Sequence, residues 1–239
     1  MNGKKKIGVL ALQGAFAEHI ASLQKLGAEA LAIRLPRDLE NLNGFIIPGG
    51  ESTVISQLML SYGLMEILRG LARDGFPMFG TCAGMILLAK DVLDLDAETI
   101  GAMDIKVRRN AFGRQIDSLE TLLSVPALGE VPFPAIFIRA PIITEAEPRV
   151  EILASLPDNT PVAARQGNLL VSAFHPELTS DLRFHAYFLD IVSAYAKARD
   201  YKLGTRICGT SRAPLSESQV ISWRGLANER TEQHKQLLS

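Results

Sequence analysis

Over its first hundred positions the chain alternates short unbroken apolar runs with segments of helical period. Residues 7–12 are continuously apolar, as a parallel strand covered on both faces requires. Gln13-Gly14 reads as its exit turn. From about 15 to 26, Phe16, Ile20, Leu23 and Leu26 recur at helical spacing while Glu18, Gln24 and Lys25 fall outside the stripe, and Gly27 ends the segment. Residues 30–35 and 44–48 predict a second and a third strand, the latter running into Gly49-Gly50-Glu51-Ser52-Thr53. Helices over about 53–62 and 64–73 lead to a fourth apolar run at 76–79, and 85–89 has the residues of a buried helix. Such alternation predicts an α/β fold with a doubly wound, mostly parallel sheet.

Beyond Ile100 the pattern shortens. Segments around 105–107, 119–125, 135–138, 150–153 and 162–165 are turn-separated and partly alternating, which predicts antiparallel additions to the sheet. Gln166-Gly167-Asn168 suits a hairpin loop before a strand at 169–174. A helix over about 181–198 carries Phe184, Phe188, Ile191 and Tyr195 at helical spacing, with Leu182 and Val192 widening the stripe. After Arg199 the period is lost, so 201–214 reads as a linker, and Ser216 suits the cap of a last helix to about Leu238. The expected organisation is one domain over 1–199 and a C-terminal extension over 200–239, in which Cys208 is incidental.

Composition narrows the class of partner. The 239 residues are 47% hydrophobic, ample for one large core, and a formal net charge of −1 gives no ground for a nucleic-acid or membrane-surface partner. Two cysteines in unlike contexts do not form a disulfide framework, so a reducing cytoplasm is expected. Lys4-Lys5-Lys6 and the apolar residues up to Ala17 have the outline of a signal peptide. Gln13 and Gly14 interrupt that run, however, and Glu18-His19 already belongs to an amphipathic helix.

The chemistry centres on Phe79-Gly80-Thr81-Cys82-Ala83-Gly84-Met85. A strand that turns at once into a helix, with Gly two before and two after a nucleophile, is a nucleophile elbow. It presents Cys82 at a helix N-terminus, where the dipole favours a thiolate and the Ala83 N–H can hold an oxyanion. The plainer alternative makes Cys82 a small buried hydrophobe. Ala173-Phe174-His175-Pro176-Glu177 supplies a base and its orienting carboxylate: Pro176 keeps the backbone extended, so His175 and Glu177 point the same way. In a doubly wound sheet the carboxyl ends of the strands share one edge, which brings Cys82 and His175 together. No second His or Cys stands at ligand spacing from His175, and His185 belongs to the last apolar-striped helix, so no metal is expected. Gly49-Gly50-Glu51-Ser52 lacks the Lys of a P-loop, which disfavours a nucleotide-binding domain. Beside Cys82, Gly50 can instead complete the oxyanion hole, the alternative being a tight turn with a helix cap.

Gly80-Thr81-Cys82-Ala83-Gly84 with a distant His175-Pro176-Glu177 resembles the class I, triad-type glutamine amidotransferases. Val9-Leu10-Ala11-Leu12-Gln13-Gly14, Pro48-Gly49-Gly50-Glu51-Ser52-Thr53, the run from Arg109 to Gln115, and Phe137-Ile138-Arg139-Ala140-Pro141 narrow the likeness to the glutaminase subunits of pyridoxal 5′-phosphate synthase, over about residues 7–196. The resemblance implies hydrolysis of L-glutamine to glutamate and ammonia by Cys82, His175 and Glu177. It implies L-glutamine contacts at Gly50, Glu51, Ser52, Arg109, Ile138 and Arg139, and places Gln13 near the oxyanion loop and the partner subunit. It further implies docking on a TIM-barrel synthase subunit in a large hetero-oligomer, with pyridoxal 5′-phosphate as product of the complex and no cofactor in this chain. The extension over 200–239 departs from the compact members. A non-catalytic regulatory subunit and a flavodoxin-like cysteine hydrolase of another substrate are the alternatives.

Overall fold

The computed structural model describes residues 4–109 and 118–208, with side chains up to Tyr201. Strands and helices alternate from the start: β1 (Lys6–Leu10), α1 (Phe16–Lys25), β2 (Glu29–Ile33), β3 (Gly44–Ile47), α2 (Ser52–Ser61), α3 (Met65–Arg73), β4 (Met78–Thr81) and α4 (Ala83–Leu88). Short strands follow as β5 (Ala89–Leu93), β6 (Met103–Arg108), β7 (Ser118–Leu123), β8 (Phe133–Ile138), β9 (Ile142–Ala146), β10 (Glu151–Ser155), β11 (Pro161–Gln166) and β12 (Leu169–Ser172). The last described element is α5 (Arg183–Cys208). The chain divides into two units, Met1–Ala198 and Arg199–Ser239, and the site lies in the first.

The main sheet has seven strands in the order β10-β11-β12-β4-β3-β1-β2. Five of them, β12, β4, β3, β1 and β2, are parallel. Because β1, β3 and β4 are buried on both faces, their sequences are continuous apolar runs, and chain reversal falls to the helices between them. Antiparallel additions are present as β10 and β11, the latter joined to β12 by the hairpin at Gly167, whose φ of 58° suits glycine. The segments expected around 105–107, 119–125 and 135–138 do not join this sheet. They form a three-stranded sheet β5-β6-β9 and a two-stranded ribbon β7-β8. Alternating burial along β7 and β8 shows the reason: each buries one face only, so it packs beside the main sheet instead of extending it.

In α1, Leu23 is buried and Phe16, Ile20 and Leu26 pack, partly covered, against the core, as the stripe predicts; His19 and Ser22, which the stripe left out, are buried as well. The helix turns a polar strip inward because buried polar groups are waiting beneath it. The final helix does not end near 198 but continues to Cys208, so 201–208 is helical rather than a linker. No proline interrupts residues 183–213, and Gly204 costs a helix only about 1 kcal/mol. The expected helix from Ser216 and the motif over 110–115 lie outside the described residues. Among the described residues, no helix is long and apolar enough to cross a membrane.

The core between the main sheet and α5 is aromatic. Phe174 meets Phe184 edge to face at 5.1 Å and Phe137 at 5.5 Å, and Phe133 meets Phe184 at 4.8 Å. Each buried phenyl ring contributes roughly 1.5–3 kcal/mol through the water it sheds. Phe174 is bonded to His175, so this packing anchors the residue that follows β12.

Candidate active site

Parallel register sets the site. Thr81 pairs with Ser172 across β4 and β12, and Ile47 pairs with Gly80 across β3 and β4, so three strands end level along one edge. Cys82 follows Thr81 directly, His175 lies three residues beyond Ser172, and Gly49-Gly50 follows β3. The Cys82 N–H donates to Ser172 O at 2.8 Å, which ties the elbow to the neighbouring strand.

The elbow is tight and strained. Cys82 has φ 48° and ψ −102°, a backbone conformation that a residue with a side chain rarely adopts and that costs about 1–3 kcal/mol. Its glycines are there for close approach. A Cβ on Gly84 would stand 2.0 Å from Ile47 O, and one on Gly80 would stand 2.5 Å from the Gly84 carbonyl carbon. Gly49 lies flush against the imidazole, since a Cβ there would meet His175 Cε1 at 2.3 Å.

Cys82 is a free thiol, and Cys82, His175 and Glu177 are all buried. The Glu177 carboxylate accepts from His175 Nδ1 at 2.7 Å through Oε1, leaving Nε2 of the ring for the sulfur. Burial alone disfavours a charged imidazole. Hydrogen bonds to Cys82 and Glu177, and the charges on both, outweigh it and raise the His175 pKa from 6.5 to about 10. Burial likewise opposes a charge on Glu177, but the hydrogen bond from His175 and the charge on that ring hold its carboxyl below the ordinary value.

In front of the sulfur lies a pocket of about 270 Å³, lined by Gln13, Gly50, Glu51, Ser52, Cys82, Ile86, Arg109, Ile138, Arg139 and His175. Each L-glutamine contact residue expected from the sequence is therefore at one cavity. Ile86 is the lining residue that sequence reasoning missed. It sits four residues past Cys82, one turn along α4, where helical spacing returns a side chain to the same side.

The lining residues are held in different ways. Glu51 caps α2, with Oε1 accepting from the Thr53 N–H at 3.2 Å and Oε2 from the Val54 N–H at 2.8 Å. Arg109 Nη2 donates to the same carboxylate at 3.0 Å, and its Nη1 donates to Asp94 O at 3.3 Å. Burial pushes the Glu51 pKa up, but these donors hold it below the usual carboxylate value. Ser52 Oγ is buried without a hydrogen-bond partner among the described residues, so it is a polar group free to meet a ligand. Gln13 Oε1 accepts from the Glu51 N–H at 2.8 Å, which braces the loop after β3. Ile138 O faces Cys82 Sγ at 4.0 Å, and Arg139 has a φ of 43°. The N–H groups of Gly50 and Ala83 carry no hydrogen bond to other described residues, leaving both as donors for an oxyanion. A thiol, an imidazole, a carboxylate, free backbone donors and a guanidinium around one pocket suit covalent attack on a carbonyl in a small, carboxylate-bearing substrate.

The sequence matches the family described as the SNO glutamine amidotransferase family over residues 9–194. It is 57% identical over 187 residues to the pyridoxal 5′-phosphate synthase subunit PdxT of Moorella thermoacetica, covering 78% of this chain and 99% of that protein. The protein of the same name from Dehalococcoides mccartyi is 55% identical over 199 residues, 82% of this chain and 99% of the relative. A crystal structure described as a glutamine amidotransferase superposes with a TM-score of 0.74 at 46% identity, covering 78% of this chain and 98% of that one.

Proposed function

The chain belongs to the SNO glutamine amidotransferase family, and on that premise we propose that it is the glutaminase subunit of pyridoxal 5′-phosphate synthase, releasing ammonia from L-glutamine for the synthase subunit. The observation that carries the proposal is the level ending of β4 and β12, which sets Cys82 beside the hydrogen-bonded His175 and Glu177 at a pocket of amino-acid size.

Cys82 Sγ, its proton already held on His175 Nε2 as the raised pKa of that ring favours, attacks the carboxamide carbon as a thiolate. The resulting oxyanion takes hydrogen bonds from the Gly50 and Ala83 N–H groups. As the tetrahedral centre collapses, the C–N bond breaks, and His175 gives its proton to the departing ammonia, leaving a thioester on Cys82. Water then attacks that thioester with His175 as base, glutamate leaves, and the thiol is restored; the sum is glutamine plus water to glutamate plus ammonia. Glu177 keeps the imidazole in its tautomer and stabilises its charge. Arg109 and Arg139 are the candidate partners of the α-carboxylate, with Ser52, Glu51 and Ile138 fixing the rest of the amino acid.

The partner in this proposal is a TIM-barrel synthase subunit in a large hetero-oligomer, with Gln13 at the contact, and the compartment is the cytoplasm, where Cys82 stays reduced. Residues 1–199 form the glutaminase domain and 200–239 an extension outside it. That division accords with relatives matched over nearly their whole length by 78–82% of this chain. The test is ammonia release from glutamine by the full chain, alone and with the purified synthase subunit. Release that rises on adding the partner is expected; none in its presence overturns the proposal.

A further inference from the structure

Behind Glu177, on the side away from the pocket, two histidines are wholly enclosed that the mechanism above does not use. His19 of α1 and His185 of α5 each have 0% exposure. His19 Nδ1 lies 2.9 Å from His185 Nε2, and His19 Nε2 lies 3.1 Å from Thr81 Oγ1. The same Nε2 is 3.3 Å from Glu177 Oε2, the carboxylate oxygen that His175 leaves over and that otherwise has no hydrogen-bond partner. A buried carboxylate oxygen left without a donor keeps its full desolvation cost, and the His19 nitrogen stands where an N–H would offset that cost. A metal centre is not the explanation: the two rings meet at direct hydrogen-bond distance, and no group of ligands with metal-holding geometry occurs among the described residues.

Proton counting selects the tautomer. With its proton on Nδ1, His19 would turn a bare Nε2 lone pair toward the Glu177 carboxylate, two acceptors facing each other. His185 would then have to accept through Nε2 and leave its own Nδ1–H buried, and that atom has no partner. With the proton on Nε2, His19 donates toward Glu177 Oε2 and Thr81 Oγ1, and His185 donates Nε2–H to His19 Nδ1. Of the four ring nitrogens, the one then unmatched is a bare acceptor, His185 Nδ1, which is less costly to bury than an orphaned N–H. The charged groups around the ring are Glu177, His175 and Glu18; burial, joined by the charge on His175, outweighs Glu177 and Glu18 and holds His19 below its usual pKa, consistent with a neutral ring.

We infer that His19, as a neutral Nε2–H tautomer fixed by His185, is a positioning residue that holds Glu177 from behind so that its other oxygen meets His175. The inference rests on the function proposed above. It explains why α1 turns a histidine inward. It also ties the strand exits together, because Thr81 Oγ1, which faces His19, accepts the Gly49 N–H at 3.0 Å. His19 touches neither substrate nor sulfur and acts through Glu177 and His175.

The test uses the full chain with its synthase subunit. His19→Leu is expected to lower kcat by about tenfold to a hundredfold, the range for losing a hydrogen bond to a charged group, with KM little changed. His19→Gln, whose amide N–H reaches the place of Nε2–H, is expected to recover most of that loss. Alkylation of Cys82 by iodoacetamide, which needs no glutamine, should slow and recover in parallel. Should His19→Leu fail to fold, nitrogen-15 NMR of the wild-type chain decides, with Nε2 protonated and Nδ1 bare expected. A wild-type ring protonated on Nδ1, or a folded His19→Leu with unchanged kcat and alkylation, overturns the inference. So does a loss that His19→Gln leaves unrecovered. Failure of the glutaminase proposal itself would differ, since wild type would then release no ammonia while the tautomer and Cys82 alkylation still reported on His19.

Discussion

The parallel half of the main sheet and the small sheets beside it serve one pocket by different means. Cys82, His175 and Gly50 sit just past β4, β12 and β3, whose register is locked by backbone hydrogen bonds. Arg109 stands just past β6, and Ile138 and Arg139 stand at the end of β8, in sheets that do not pair with the main one. Single links hold that side in place, such as the His175 N–H to Ile136 O at 2.8 Å and Arg109 to Glu51 at 3.0 Å. The groups proposed to react are thus placed by backbone register and those proposed to recognise the substrate by a few side-chain and loop contacts. Substitutions on the first side should strike turnover, and those on the second should strike affinity.

Cys82→Ala tests the first half most severely. Ammonia release is expected to fall by at least about ten-thousandfold, as when a covalent nucleophile is removed, with thermal stability preserved. Next in size is Glu177→Gln, expected to lower kcat by about a hundredfold or more through loss of the charge that orients and stabilises the imidazolium. It should also move a titration. The raised pKa of His175 means that its proton stabilises the folded chain fully below the unfolded value of 6.5, a contribution lost as pH rises through about 10. Without the Glu177 charge that loss should begin at lower pH, read from the His175 ring resonances and from the thermal midpoint against pH.

Arg109→Ala addresses the second half. KM for glutamine is expected to rise about tenfold to a hundredfold with a smaller change in kcat, measured by steady-state ammonia release; an equal fall in kcat and kcat/KM would erase the division of labour. The smallest effect concerns strain. Because Cys82 is held at φ 48°, Cys82→Gly should be more stable than Cys82→Ala by about 1 kcal/mol or more, read by denaturant unfolding, although both are inactive.

The two halves were also unequally legible in the sequence. Cys82 between two glycines and His175-Pro176-Glu177 after an apolar run are local signals, and parallel topology brings them to one edge, although Pro176–Leu178 is a 3-10 turn and not the extended backbone expected there. Arg109 and Arg139 have no such signal, because their place depends on how separate sheets pack, and only family resemblance pointed to them. Missing β5 has a plain cause: it begins at Ala89 directly after α4, with no turn residue to mark the change. His19 was hidden by its polarity. It lies four before Leu23 on the inward face of α1, yet a search for apolar stripes passes over a histidine whose partners, Thr81, Glu177 and His185, are scattered along the chain.

The central claim is that the Cys82 sulfur, served by His175 and Glu177, attacks the carboxamide of glutamine. Its most direct test is peptide mapping of the complex after exposure to a glutamine-mimicking electrophile, with and without free glutamine. An adduct on Cys82 whose formation glutamine slows is the result predicted here. An unmodified Cys82, or one labelled equally fast with glutamine present, would contradict it.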